Sequence, residues 1–401
     1  MSMLDSWLTP ALQARQANLH YRQRRTLNGR SRTHVIQSSR SLLEFSSNDY
    51  LGLANEPRVI DAFCKGARED GVGSGASAVV SGHLAIHRQL EETLADWTGR
   101  SRALLFPSGF QANLAVHDAL LSSRDRVFGD RLNHASLLDG ARLAGARMTR
   151  YCHGDVDALV QQLTRYSGDG RKLVASDGIF SMDGDRAPVQ ALATACRAHE
   201  AVLLIDDAHG IGILGLHGAG LLEDAQLDQD AVPVLVGTLS KALGAEGAFV
   251  AGSDALIETL IQFARPYIYT TSLPPAIAHA GLTALHIARE EPERRQRLTD
   301  NIAYFQQLAK QAALPITNSD TPIQPMIVGH EHTVMTLAHL LETDGFLVGA
   351  IRPPTVPKGS SRLRITLSAT HQRADIEALI TSLHRHYTVL TSEGTLGGWD
   401  V

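Results

Sequence analysis

The chain has 401 residues, 44% of them hydrophobic, and a formal charge of −5 from 37 basic and 42 acidic side chains. That composition predicts a globular protein of about two domains and excludes a disordered one. The charges are mixed along the chain with no basic stripe, which disfavours a nucleic-acid partner.

Taken in chain order, residues 4–25 read as an amphipathic helical arm, with Leu4, Leu8, Leu12 and Leu19 at roughly helical spacing. Asp5 sits early and arginines late, with no apolar core or small-residue cleavage site, so no secretory leader is expected. The polar stretch Asn28–Ser39 reads as a linker, and the arm and linker together span 1–44. From 45 to 290 helical and apolar segments alternate. A helix is predicted from Ile86, Leu90, Leu94 and Trp97, and short apolar runs occur at Ala103–Phe106, Leu173–Ala175, Ala201–Ile205, Val232–Val236 and Ala248–Ala251. Runs that are continuous rather than alternating suit strands buried on both faces, hence a large, mainly parallel α/β domain.

After the charged segment Arg289–Arg297 a smaller domain is expected, over 291–401. It has apolar runs at Ile323–Val328 and Phe346–Ile351. Leu363, Ile365 and Leu367 then alternate with Arg362, Arg364 and Thr366, which predicts a half-exposed strand with one wet face. Ile376, Leu379, Ile380 and Leu383 mark a last helix, and the tail Glu393–Val401 reads as frayed. No apolar run approaches membrane-spanning length, and Cys64, Cys152 and Cys196 show no Cys-x-x-Cys spacing. A reducing cytoplasm, no membrane and no structural zinc site are expected.

The chemistry concentrates in a few polar clusters. Lys241 lies in Gly237-Thr238-Leu239-Ser240-Lys241, 241 − 206 = 35 residues after the first Asp of Asp206-Asp207-Ala208-His209. A lysine able to form a Schiff base and an aspartate able to pair with a pyridinium nitrogen are the groups that pyridoxal 5'-phosphate most needs. Asp206, Thr238 and Ser108 all fall at the carboxyl ends of predicted strands, where ligands bind in such sheets. Pro107-Ser108-Gly109-Phe110 leads into a helix whose first amides could cup a phosphate, and no Walker motif is present. The flat ring of His134, in Asn133-His134-Ala135-Ser136, could stack on a cofactor, and His209 could reach its phenolic oxygen. His83 and His87 mimic half a zinc site without a third ligand and are read as structural.

These clusters, with Phe45 to Gly52, Gly73-Ser74-Gly75, Phe180 to Asp185 and Thr271 to Pro275, run in one order from about residue 20 to 385. In that order they resemble the α-oxoamine synthases, pyridoxal-phosphate-dependent transferases of the aspartate-aminotransferase-like fold (fold type I). The resemblance implies a decarboxylative condensation of an amino acid with an acyl thioester. Arg352-Pro353-Pro354-Thr355-Val356-Pro357 followed by Arg362-Leu363-Arg364 is similar to members that take L-alanine and a pimeloyl thioester, on CoA or acyl carrier protein. Members acting on glycine, and a catalytically silent scaffold subunit, stay open as alternatives.

The resemblance also implies roles. Lys241 would carry the cofactor and act as base, and His134 would stack on the ring. Ser108, Gly109, Phe110, Ser181, Asp206, His209 and Thr238 would contact the cofactor. Thr271 would reach the phosphate of the neighbouring subunit in a homodimer. Arg364 would clamp the amino-acid carboxylate, with Arg22, Asn48, His134, Arg352 and Thr355 at the substrate. Asp177 departs from the pattern, standing where many relatives have Glu.

Overall fold

The computed structural model describes residues 2–18 and 20–392, so Leu19 and the tail from Glu393 lie outside the described residues. Two compact units emerge. The larger comprises Asn48–Ser181 and Asp185–Arg297; the smaller takes the described residues up to Ser47, Met182–Gly184 and those from Leu298 onward.

The strands in chain order are β1 (Gly29–Ser31), β2 (His34–Gln37), β3 (Arg40–Phe45), β4 (Arg102–Phe106), β5 (Arg126–Asp130), β6 (Arg147–Tyr151) and β7 (Lys172–Asp177). They continue with β8 (Val202–Asp206), β9 (Val234–Thr238), β10 (Ala248–Gly252), β11 (Ile323–Gly329), β12 (Phe346–Ile351) and β13 (Ser361–Thr366). In the larger unit a seven-stranded sheet has the order β4-β10-β9-β8-β7-β5-β6. Strands β9, β8, β7, β5 and β6 are parallel neighbours, and β10 runs antiparallel between β4 and β9. The expected mainly parallel α/β sheet is present.

Register places the strand ends together. Asp177 pairs with Asp206 across β7 and β8, while Phe106 of β4 and Thr238 of β9 both pair with Ala248. The carboxyl ends of β4, β7, β8 and β9 therefore share one rim. Burial holds them there: Leu203, Leu204 and Ile205 are each fully buried, contributing about 1.5–3 kcal/mol apiece.

The smaller unit is built on a six-stranded sheet of order β1-β2-β3-β12-β13-β11. Two sequence expectations fail here. Asn28–Ser39 is not a linker: it carries β1 and β2, and β3 pairs in parallel with β12. Polar side chains on an edge hairpin resemble linker composition because one face stays wet. Nor is β13 half-exposed; all six of its residues are buried. It is flanked by β12 and β11, and its polar side carries Arg362, whose charge is answered inside the protein. Arg362 donates to the Met182 carbonyl at 3.2 Å and pairs with the Asp183 carboxylate. The loop Met182–Gly184 is held by hydroxyls of Ser319 and Thr321, each donating to the Gly184 carbonyl at 2.8 Å. The helix Met3–Ala17 buries no residue; Leu4, Leu8 and Leu12 are exposed.

Candidate active site

The rim of the seven-stranded sheet gathers the polar residues of the larger unit. Asp206, the last residue of β8, is buried, and its carboxylate accepts the Ala208 N–H at 3.0 Å and the Asn113 side-chain amide at 2.6 Å. Asn113 comes from the helix Gly109–Leu120 that follows β4. Ser108 caps this helix, its hydroxyl accepting the Gln111 N–H at 3.3 Å. The amides of Gly109 and Phe110 stand in the first turn, which has no intrahelical acceptor for them. A side chain built at Gly109 would meet nothing within 4 Å, so the amide end opens onto free space.

His134 caps the next helix, Ala135–Leu143. Its backbone N–H donates to Asp177 Oδ2 at 2.7 Å, and its Nδ1 lies 2.7 Å from the Ser136 hydroxyl. The Phe110 ring stands nearly perpendicular to it, centroids 6.2 Å apart. Part of the residue reaches solvent, yet the protein packed about the ring holds the imidazole below its usual pKa. Asp206 pulls the other way, and Lys241 reinforces the drop. The Asp177 carboxyl is pushed well above the ordinary range by burial and then by Asp206.

Asp207, next to Asp206, points elsewhere. Its Oδ2 accepts the Leu221 N–H at 2.6 Å, and burial pushes its pKa up to about 8. It packs so closely that a Cβ at Gly210 would sit 2.0 Å from Oδ1.

Lys241 is partly buried after β9, in a tight turn where the Gly244 N–H donates to its carbonyl at 3.0 Å. Gly244 adopts φ +64, and a Cβ there would lie 2.2 Å from the Ala54 nitrogen. Only glycine supports this close approach in a left-handed conformation. The charge of Lys241 acts on His134, Asp177 and Asp207, which ties it to the rim. Thr238 is buried, its hydroxyl within 2.8 Å of the Gly247 carbonyl and 2.7 Å of the Ser240 hydroxyl. His209 Nδ1 shares a 2.7 Å hydrogen bond with the buried Tyr50 hydroxyl, which also donates to Asn48 Oδ1 at 3.2 Å. Ser181 is partly buried, and Thr271 is exposed.

In the smaller unit, Arg22 donates to Thr355 Oγ1 at 3.2 Å, and Arg352 donates to the Tyr21 carbonyl at 2.7 Å. These residues line a cavity of about 1260 Å³. Arg364 is buried on β13, opposite Gly349 and Pro325. His83 and His87 are spent on structure: His83 pairs with Glu91 at 2.9 Å, and His87 bonds the Leu273 carbonyl at 2.7 Å.

Sequence reasoning missed Asn113, Ser136 and Tyr50. A polar Asn beside Ala112, Ala115 and Val116 in a buried helix was a readable signal, because a buried amide demands partners.

The donor set fits pyridoxal phosphate: open helix amides for a phosphate, an accessible flat imidazole, a buried carboxylate for a ring nitrogen and a lysine amine, all on one rim. Comparison with known proteins agrees with that chemistry. A family model for aminotransferase class I and II matches residues 40–383, which defines the class. The chain is 54% identical to the 8-amino-7-oxononanoate synthase of Alcanivorax borkumensis, over 94% of this chain and 97% of that one. It is 52% identical to the synthase of the same name from Pseudomonas savastanoi pv. phaseolicola, over 97% and 98%. The chain belongs to the 8-amino-7-oxononanoate synthase family.

Solved structures are similar as well. The serine palmitoyltransferase of Sphingomonas wittichii superposes with a TM-score of 0.92 at 29% identity, over 98% of this chain and all of that one. The 8-amino-7-oxononanoate synthase of Francisella tularensis superposes with a TM-score of 0.76 at 30% identity, over 87% and 99%. A structure of SPT with PLP superposes at 0.91 and 27% identity, over 98% and 100%.

Proposed function

We propose that this chain is a pyridoxal-phosphate-dependent 8-amino-7-oxononanoate synthase. It joins L-alanine to a pimeloyl thioester and releases carbon dioxide and the free thiol of the carrier, a step of biotin biosynthesis. The observation that carries the reading is the shared rim of Asp206, His134 and Lys241, in a chain 54% identical to a synthase of that name.

When bound, the cofactor supplies an electron sink for carbanion chemistry at the alanine α-carbon. The protein supplies the rest. The Gly109 and Phe110 amides, with Ser108 and Thr238, hold the phosphate, and Ser181 and His209 contact the cofactor. Asp206, aimed by the Asn113 amide, keeps a proton on the ring nitrogen. Lys241 binds the cofactor and, as a neutral amine, takes the α-proton of alanine; His134 covers the ring face. The Arg364 guanidinium matches the planar carboxylate of alanine. Arg22, Asn48, Arg352 and Thr355 contact substrate. Thr271 serves the neighbouring subunit of a homodimer, a role its exposure suits. The three free thiols suit a reducing cytoplasm.

The test is turnover of the purified holoenzyme with alanine and with glycine, against pimeloyl-CoA, pimeloyl-acyl carrier protein, acetyl-CoA and succinyl-CoA. Alanine with a pimeloyl thioester should give 8-amino-7-oxononanoate and one carbon dioxide per thiol. Activity confined to glycine would replace the reading with that of another α-oxoamine synthase.

A further inference from the structure

The hydrogens around His134 can be placed one by one. Asn113 Nδ2 lies 2.6 Å from Asp206 Oδ2. Only the NH₂ of the amide can face a carboxylate at that distance, since the opposite flip would set two acceptor oxygens together. The same nitrogen lies 2.8 Å from Ser136 Oγ and gives it the second hydrogen. Ser136 Oγ, accepting there, keeps its own hydrogen for its other partner, His134 Nδ1 at 2.7 Å. The backbone N–H of Ser136 also points at Nδ1, at 3.3 Å. Two donors converge on one ring nitrogen, which must offer a lone pair.

From this we infer that Asn113 and Ser136 are positioning residues that hold His134 as the neutral tautomer with its proton on Nε2. Both are fully buried, so water does not compete for these bonds. The arrangement leaves Asn113 Oδ1 buried with no hydrogen-bond partner, a cost the opposite flip would not remove, because it would strand the nitrogen instead. The charged groups acting on the ring are Asp206, Lys241 and Asp139, with Asp177 on its backbone N–H. Burial and Lys241 both favour the uncharged ring that the hydrogen count requires. His134 then presents Nε2–H as a donor to an acceptor oxygen of the ligand beside it. It cannot take a proton at Nδ1 without displacing the Ser136 hydrogen. The same amide that aims the Asp206 carboxylate thus sets the tautomer of the imidazole.

This inference rests on the reading of His134 as the ring that faces the cofactor. Its test is the ¹⁵N spectrum of holoenzyme labelled in its histidines, at neutral pH, with the His134 signals assigned by their loss in His134→Gln. The expected spectrum shows Nδ1 unprotonated and Nε2 protonated. Ser136→Ala should mix the two tautomers and lower kcat roughly five- to tenfold, the size of one hydrogen bond, with KM for alanine little changed. Ser136→Thr, which keeps the hydroxyl, should restore both. A wild-type ring protonated at Nδ1, or at both nitrogens, overturns the inference, as does Ser136→Ala with unchanged tautomer and kcat. The wild-type spectrum, assigned with His134→Gln, decides even if a Ser136 variant does not fold. Failure of the functional reading is separate: it is a holoenzyme with this spectrum that makes no 8-amino-7-oxononanoate.

Discussion

At the rim of the seven-stranded sheet Asp177, Asp206 and Asp207 crowd together in the interior, whereas on the outside of the same unit Glu56 and Glu291 alternate with Arg58 and Arg294. Burial drives the carboxyls of Asp177 and Asp207 upward. The hydrogen bond from Arg58 holds both outer glutamates below their ordinary range, with Arg294 adding to it. Chemically identical groups therefore sit in opposite electrostatic states. The inner set costs stability, its buried Asp177 and Asp207 pushed towards the neutral form, whereas the outer set stays charged and contributes a little stability.

The contrast can be broken at several points. Lys241→Ala should lower turnover by about 10⁴-fold and abolish the visible absorbance of the bound cofactor. Asp206→Asn keeps the shape but removes the charge and should cost about 10²–10³ in kcat; a loss below tenfold would mean that the rim carboxylate is not functional. Arg362 extends the comparison to the smaller unit, where a buried cation answers Asp183. Arg362→Ala should destabilise that unit by about 3 kcal/mol in denaturant unfolding.

Asp207 predicts a pH effect. Its folded pKa, about 8, lies above the ordinary 3.8, so between those values the folded state binds the proton that the unfolded state has released. Stability should fall as pH rises through that window, and unfolding of Asp207→Asn should show a smaller fall. The smallest effect is expected outside. Arg58→Ala should change stability by less than about 1 kcal/mol and lose that effect in high salt.

The sequence made the larger unit readable because most of its strands are continuous apolar runs buried on both faces, with Asp206 ending β8 and Lys241 shortly after β9. It hid β5 and β6, whose Arg126-Val127-Phe128-Gly129-Asp130 and Arg147-Met148-Thr149-Arg150-Tyr151 mix charge with apolar residues, β6 at the sheet's edge and β5 beside it. It also misled at β13. Alternating Arg and Leu indicates one wet face only if nothing inside the protein answers the arginines, and the partners of Arg362 lie some 180 positions away in sequence. Asn113 escaped notice for a similar reason, since its value lies in partners contributed by other elements.

The sheet of the smaller unit has a consequence for how the chain is made. Strand β3, at Arg40–Phe45, finds its parallel neighbour only in β12, at Phe346–Ile351. During synthesis β1, β2 and β3 can pair with one another, but the other edge of β3 must wait, open, until some 300 further residues have emerged. The larger unit, whose strands lie between residues 102 and 252, can fold in that interval. The segment that waits longest exposes a strand edge meanwhile, and it is there that a chaperone or an aggregation event would first engage the nascent protein.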